Sequence, residues 1–176
     1  MRIFGAKKED HFIEAYKKHF APFRDKPIRL LEIGVQNGGS MKMWESYFPF
    51  AEIVGVDNDS ECLKYETDRT SIHIGDQADR AFLRTLGKFD IIVDDGGHKM
   101  SQQMTSFDVL FNEMNPGGIY TIEDLHTSFM EQYKDAPTTT EFLCSVVNTL
   151  CDPKRHNTYG IRALSVYKSL CFIEKV

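Results

Sequence analysis

Five short apolar runs in this chain each carry or end in an acid, and each is followed by a stretch with helical spacing. The first run, residues 28–33, holds Glu32 and enters a glycine turn at Gly34. The second, 51–56, is ended by Asp57, and the third, 71–74, by Gly75 and Asp76. The fourth, 89–93, meets Asp94-Asp95, and the fifth, 119–122, meets Glu123-Asp124. Strands that alternate with helices build a parallel sheet covered on both faces. Two further alternating runs, 161–167 and 170–176, have a tight connection and read as a hairpin, which makes the last strand antiparallel. The expectation is a single α/β domain over residues 1–176, with seven strands in a mostly parallel sheet and helices on both faces.

The helices follow from apolar periodicity. Phe12, Tyr16 and Phe20 recur at four-residue steps in 8–20, within an N-terminal helix and lead-in spanning 1–27. Met41, Trp44, Tyr47 and Phe48 mark the next helix, with Trp44 read as a core anchor. Ser60 is the expected cap of a short helix to about 66, and Thr140 of a helix to about 151. Met100, Met104, Phe107, Phe111 and Met114 form one apolar stripe, read as core packing. The polar stretch 125–138 reads as a lid-like loop, whose Phe129 and Tyr133 are placed to touch a substrate.

Composition bounds the class. With 21 basic and 26 acidic residues in 176, the net charge is −5, which argues against a chain whose main task is gripping phosphate backbones. No apolar stretch is long enough to span a bilayer, and the first dozen residues lack an apolar leader core. Cys62, Cys144, Cys151 and Cys171 show no paired spacing and read as buried thiols of a reducing cytoplasm.

In an open α/β sheet, ligands bind beyond the carboxyl ends of the strands, where these acids fall. Acids there also cap helices, and that reading suits Asp59 and Asp79. It does not account for two consecutive acid pairs after two apolar strands. The turn from Glu32 through Gly34, Asn37, Gly38, Gly39 and Ser40 permits close backbone approach to a ligand at a helix N-terminus. Gln36 stands where a dinucleotide fingerprint needs glycine, which disfavours a dehydrogenase. Asp57, about 20 residues past the turn, suits a ribose diol. Together these features favour an adenosine ligand without a pyrophosphate. Asp94, Asp95, Glu123 and Asp124 end adjacent strands and can converge on one hard cation, Mg²⁺ with Mn²⁺ or Ca²⁺ as alternatives. His98 lies three residues past Asp95 and is read as a general base rather than a ligand, with His126 a second residue to line the site.

These blocks resemble a known family. Residues 32–40 (EIGVQNGGS) and 53–57 (IVGVD) look like the first two motifs of class I S-adenosylmethionine methyltransferases. Residues 89–98 (FDIIVDDGGH) and 115–126 (NPGGIYTIEDLH) resemble the macrocin-type sugar O-methyltransferases, a group overlapping rhamnosyl O-methyltransferases and cephalosporin-hydroxylase-like proteins. The resemblance runs over roughly residues 29–176 and is densest from 89 to 126. It implies the seven-stranded Rossmann-like methyltransferase fold. It implies Mg²⁺ held by Asp95, Glu123 and Asp124, and His98 as the base with Asp95 beside it in catalysis. It implies cofactor contacts from Glu32, the turn of Gly34, Asn37, Gly38 and Ser40, Asp57, Asp76 and Gln77, with Asp94 facing the cofactor. The expected activity is metal-dependent O-methylation of a hydroxyl on a saccharide-containing small molecule, by a cytoplasmic monomer or small homo-oligomer, with no nucleic acid and no membrane partner.

Two departures stand out. Position 97 is Gly where the family carries Ser, which loosens the turn. Only one helix precedes the first strand, which argues against a macrolide acceptor and a large assembly. A small catechol or other vicinal diol is the alternative acceptor, and a non-catalytic cofactor-binding regulator the alternative class. Nine acids, Glu32, Asp57, Asp59, Asp76, Asp79, Asp94, Asp95, Glu123 and Asp124, fall at one predicted edge. Taking these nine from the 26 leaves 17 acids against 21 bases, so the negative charge belongs to that edge.

Overall fold

Strand pairing sets the frame. In a computed structural model that describes Ala6 and residues 8–176, seven strands form one sheet in the order β3-β2-β1-β4-β5-β7-β6. Residues 1–5 and Lys7, on which part of the lead-in and leader readings rest, lie outside the described residues. The strands are β1 (Arg29–Ile33), β2 (Glu52–Asp57), β3 (Thr70–Ile74), β4 (Ile91–Asp94), β5 (Ile119–Ile122), β6 (Ile161–Tyr167) and β7 (Leu170–Lys175). The first five are parallel, and β7 runs antiparallel to both β5 and β6. The five helices are α1 (Asp10–Phe20), α2 (Gly39–Tyr47), α3 (Arg80–Thr85), α4 (Met100–Glu113) and α5 (Thr139–Cys151).

Period-two alternation divides the core. Leu30, Ile53, Ile91 and Phe172 face α1 and α2, while Leu31, Val54, Ile92 and Ile173 face the side of α3, α4 and α5. Trp44, Tyr16 and Phe20 are fully buried in the first layer, and Phe107 and Phe111 in the second. The strand order reverses between β1 and β4, so the crevice for a ligand opens between the turn after β1 and the loop after β4.

Local boundaries differ from the sequence reading where side chains outcompete periodicity. Asp57 and Asp94 are the last residues of their strands rather than the first after them. Asp59 caps the short 3-10 turn Ser60–Tyr65, as the capping reading of that acid expected, and displaces Ser60, because its carboxylate accepts from the Glu61 amide. Thr138, not Thr140, caps α5, in a reciprocal box with Glu141. Asp79 does cap α3, accepting from Ala81 and Phe82. The stretch 125–138 contains two 3-10 turns, Leu125–Phe129 and Glu131–Tyr133, and buries Leu125, Thr127 and Ser128. Cys62 and Cys171 are buried, but Cys144 and Cys151 on α5 are exposed. Among the described residues no helix is long and apolar enough to cross a membrane.

Candidate active site

The turn after β1 and the loop after β4 are locked to each other at one glycine. Gly34 has φ +95°, and a Cβ there would lie 2.1 Å from the carbonyl oxygen of Asp95. Its amide donates to Val56 O, and the Asp95 amide donates to Ile33 O. Only glycine therefore lets the two segments touch backbone to backbone. Gly38, at φ +68°, starts α2 with the Tyr65 ring 2.4 Å from where its Cβ would be.

Two adjoining cavities flank this contact. One, of about 410 Å³, is lined by Gly34, Asp57, Asn58, Asp76, Gln77 and Gly96 among others. That is within the usual size of a small-molecule or cofactor pocket. The second, of about 230 Å³, is lined by Lys8, Asn37, Ser40, Asp95, His98 and Asp124 among others. Gly34, Gln36, Asp95 and Gly96 line both.

Asp57 holds the glycine turn as well as facing the larger cavity. Its Oδ2 accepts the Val35 and Gln36 amides at 2.9 and 3.0 Å, and its Oδ1 accepts the Asp59 amide. Burial alone would raise its pKa, but these backbone donors outweigh burial and hold the carboxyl below its ordinary value.

Asp94 and Glu32, expected at the cofactor, line neither cavity. Asp94 is fully buried and accepts from Gln77 Nε2 at 3.2 Å, Ser106 Oγ at 2.5 Å and Tyr120 OH at 3.1 Å. It lies at the end of β4 with its carboxylate turned into the α4 side, so it braces Gln77. Gln77 in turn accepts the Gly97 amide at 2.6 Å. Burial pushes the Asp94 pKa up despite these donors. Glu32 is also fully buried, because its strand is central and its oxygens are taken by Trp44 Nε1 at 2.9 Å and Lys8 Nζ at 3.0 Å.

The acids at the β4 and β5 ends separate into two groups that share Asp95. Ligand atoms of Asp95, His98 and Asp124 lie within 4.8 Å of one another, and so do those of Glu32, Asp95 and Glu123. The expected trio of Asp95, Glu123 and Asp124 is thus divided between an outer, half-exposed group and an inner, buried one. His98 and Asp124 both have positive φ, +58° and +55°, which turns their side chains back toward Asp95. His98 Nε2 is 3.5 Å from Asp124 Oδ2, and its Nδ1 is buried without a hydrogen-bond partner among the described residues. The Tyr133 ring stands edge-on to His98 at 6.2 Å. Phe129 is 74% exposed and lies in another surface cleft with His126. His126 Nδ1 lies 2.7 Å from Ser169 Oγ and 3.9 Å from Asp124 Oδ1, so it borders the outer group on the far side of Asp124.

Nothing in the sequence singles out Lys8, and Tyr16 reads there only as part of the apolar face of the first helix. The Lys8 ammonium reaches Asp95 Oδ2 at 2.6 Å and Glu123 Oε1 at 2.5 Å as well as Glu32, and Tyr16 OH donates to Glu123 Oε1. Burial alone would lower the Lys8 pKa, but the surrounding carboxylates raise it well above its ordinary value. Glu123 moves the opposite way from an ordinary salt-bridged acid. Burial and the charge of Asp95 outweigh Lys8 and push it up to about 8, because one ammonium is shared among three acids. A signal for Lys8 exists only in the balance of charges: three clustered carboxylates, two of them buried, need a cation, and nothing local in 7–10 says which one supplies it.

A glycine-hinged crevice at the β1/β4 switch point of a 3-2-1-4-5-7-6 sheet is the arrangement of the Rossmann-like methyltransferase fold. No family model matches the chain. Among curated proteins, 8-demethyl-8-alpha-L-rhamnosyl tetracenomycin-C 2'-O-methyltransferase of Streptomyces olivaceus is 34% identical over 93% of this chain and 50% of its own length. Mycinamicin VI 2''-O-methyltransferase of Micromonospora griseorubida is 35% identical over 93% of this chain and 48% of its own length. The MycE methyltransferase of the mycinamycin biosynthetic pathway, solved with Mg, S-adenosylhomocysteine and mycinamycin VI, superposes with a TM-score of 0.85 at 33% identity, covering 93% of this chain and 49% of that one. Over nearly its whole length the chain is thus similar to sugar O-methyltransferases. It spans about half the length of the relatives it matches.

Proposed function

We propose that this chain carries out metal-dependent transfer of a methyl group from S-adenosylmethionine to a hydroxyl of a saccharide-containing small molecule. The observation that carries the proposal is the juxtaposition, around Gly34, of a cofactor-sized cavity with the outer group of Asp95, His98 and Asp124.

The residues present fit both groups. An all-carboxylate donor set with one imidazole beside it suits a hard cation, and a cluster that already draws in an ammonium demands positive charge. Asp95, Glu123 and Asp124 would hold the divalent ion. When bound there, the ion supplies charge that orients the acceptor hydroxyl and makes its proton more acidic. S-adenosylmethionine supplies an electrophilic methyl group, whose transfer breaks the carbon–sulfur bond and returns that electron pair to sulfur.

The chain's own part is placement and proton removal. Gly34 and Gln36 of the turn face the larger cavity and Asn37 and Ser40 the second one, with Gly38 behind at the start of α2; Asp57 and Asp76 line the adenosine side, and Gln77 holds the Gly97 amide beside it. Asp94 holds Gln77 in turn. Glu32 acts from behind, through Lys8. His98, which lines the second cavity, takes the acceptor's proton, while Asp124 stands 3.5 Å from Nε2 and orients the ring. Tyr133 closes the flank of the imidazole.

The test is methyl transfer to a panel of rhamnosylated and other glycosylated acceptors. Activity is expected to require Mg²⁺ and to fall at least 100-fold, roughly the scale of general-base catalysis, in His98→Ala. Asp95→Asn is expected to be comparably inactive, with S-adenosylhomocysteine binding kept in both variants. Undiminished turnover in excess EDTA, or an active His98→Ala enzyme, refutes the assignment.

A further inference from the structure

We propose that the Lys8 ammonium is a built-in cation filling an inner acid site of Glu32, Asp95 and Glu123, which confines a divalent ion to the outer side of Asp95, toward His98 and Asp124. The outer half of this statement rests on the metal-dependent reading above; the inner half stands without it.

The inner group has the dimensions of a cation site. Its three carboxylates bring oxygens within 4.8 Å of one another, and Nζ sits among them at 3.0, 2.6 and 2.5 Å. An ammonium has three N–H donors, and here each one has a carboxylate. The Lys8, Glu32 and Glu123 side chains are 2%, 0% and 3% exposed, so water does little to offset their charge. Three carboxylates this close and this deep do not coexist as anions without a cation between them.

The walls of the inner site are fixed by core residues rather than by loops. Trp44 of α2 holds Glu32 through Oε2, and Tyr16 of α1 holds Glu123 through Oε1. Both rings are fully buried and pack edge-to-face against each other at 5.1 Å. The carboxylates therefore keep their places if the ammonium is removed, and the hole that remains is bounded by hard oxygen donors.

Asp95 is the hinge of the arrangement. Its Oδ2 accepts from Lys8, and its side chain is 26% exposed toward the second cavity. Glu123 gives Oε1 to Lys8 and Tyr16, and neither of those donors touches its Oε2. Asp95 can thus serve one cation on each side. In two-metal enzymes both positions take divalent ions, roughly 3.5–4 Å apart. In this chain one of the two positive charges is tethered to the backbone just ahead of α1. That tether prevents a second ion from entering behind the first, where no acceptor could reach it.

The experiment is Mn²⁺ titration of the chain by calorimetry and by the paramagnetic resonance signal of free Mn²⁺, with melting curves alongside. Three proteins are compared: the parent chain, Lys8→Met, and Lys8→Met/Glu32→Gln, since Glu32 belongs to the inner group alone. The parent is expected to bind one Mn²⁺ and Lys8→Met two, the second at least tenfold tighter than any second binding by the parent. The double variant, with one inner carboxylate neutralised, is expected to return to one. Lys8→Met is expected to melt lower than the parent without metal and to regain most of the loss in Mn²⁺.

Equal stoichiometry and affinity in the parent and Lys8→Met overturn the proposal. So does a Lys8→Met chain that fails to fold both with and without Mn²⁺. A parent that binds no Mn²⁺ while Lys8→Met binds one supports the inner site and overturns the metal-dependent reading. No binding by either overturns both.

Discussion

Replacing Gly34 with alanine strikes the one point where the cofactor turn and the Asp95 loop meet. The added Cβ would stand 2.1 Å from Asp95 O and 2.8 Å from its carbonyl carbon, both backbone atoms. Neither partner is a flexible side chain, and both segments are pinned, by Gly34 N to Val56 O and by Asp95 N to Ile33 O. One backbone must therefore retreat by about 1 Å, a change comparable to overpacking a core, which costs roughly 1–3 kcal/mol. The φ of +95° adds roughly 1–2 kcal/mol for any residue with a Cβ. The total is roughly 2–5 kcal/mol, or about 4–20 °C in melting temperature for a chain of this size. Gly117 provides the control. It has φ +78° with nothing within 4 Å of its Cβ position, so Gly117→Ala carries the backbone strain alone, about 2–8 °C. Scanning calorimetry of both variants, with calorimetric titration of S-adenosylhomocysteine, separates the two contributions. Gly34→Ala is expected to melt lower than Gly117→Ala and to lose cofactor affinity, which Gly117→Ala keeps. A Gly34→Ala chain that melts no lower than Gly117→Ala and binds the cofactor as the parent does would refute the close-contact argument.

Two other perturbations have definite signs. Trp44→Phe removes the indole donor from the buried Glu32 carboxylate, a charge-assisted hydrogen bond whose loss costs roughly 1.5–3 kcal/mol, so a fall of about 3–12 °C is expected by circular dichroism; an unchanged melting temperature would show that Glu32 does not depend on it. Glu123 is held near 8 by burial and by Asp95 against an ordinary value of 4.5, so its ionisation opposes folding. Stability without divalent ion should therefore fall as pH rises from about 4.5 to about 8, since the folded state binds the extra proton in that window. Lys8, raised above 10.5, keeps its contribution throughout that range and loses it only at higher pH. Melting temperatures that stay flat or climb between pH 5.5 and 8.5 would contradict the assignment of that carboxyl.

The division between what was legible in the sequence and what was not follows the range of the interactions. Strand and helix periods are local, and they placed all seven strands and five helices to within a few residues, including the antiparallel last strand. The position of acids after strands is also local, and with the rule that ligands bind at strand carboxyl ends it led to Asp57, Asp95, His98 and Asp124 at one crevice. Caps were misplaced at Ser60 and Thr140 because two neighbouring polar residues can each cap, and only backbone angles choose between them. What tertiary structure alone decided is the direction each acid faces. Glu32 and Asp94 lie in the middle strands, where period two can turn a carboxylate toward the cavity or into a helix layer, and both turned inward to buried donors. The cation that makes this tolerable, Lys8, comes from 115 residues before Glu123 and from outside any motif. Charge compensation acts through space, so the sequence could require a positive charge at that edge, and only the folded chain could say which residue brings it.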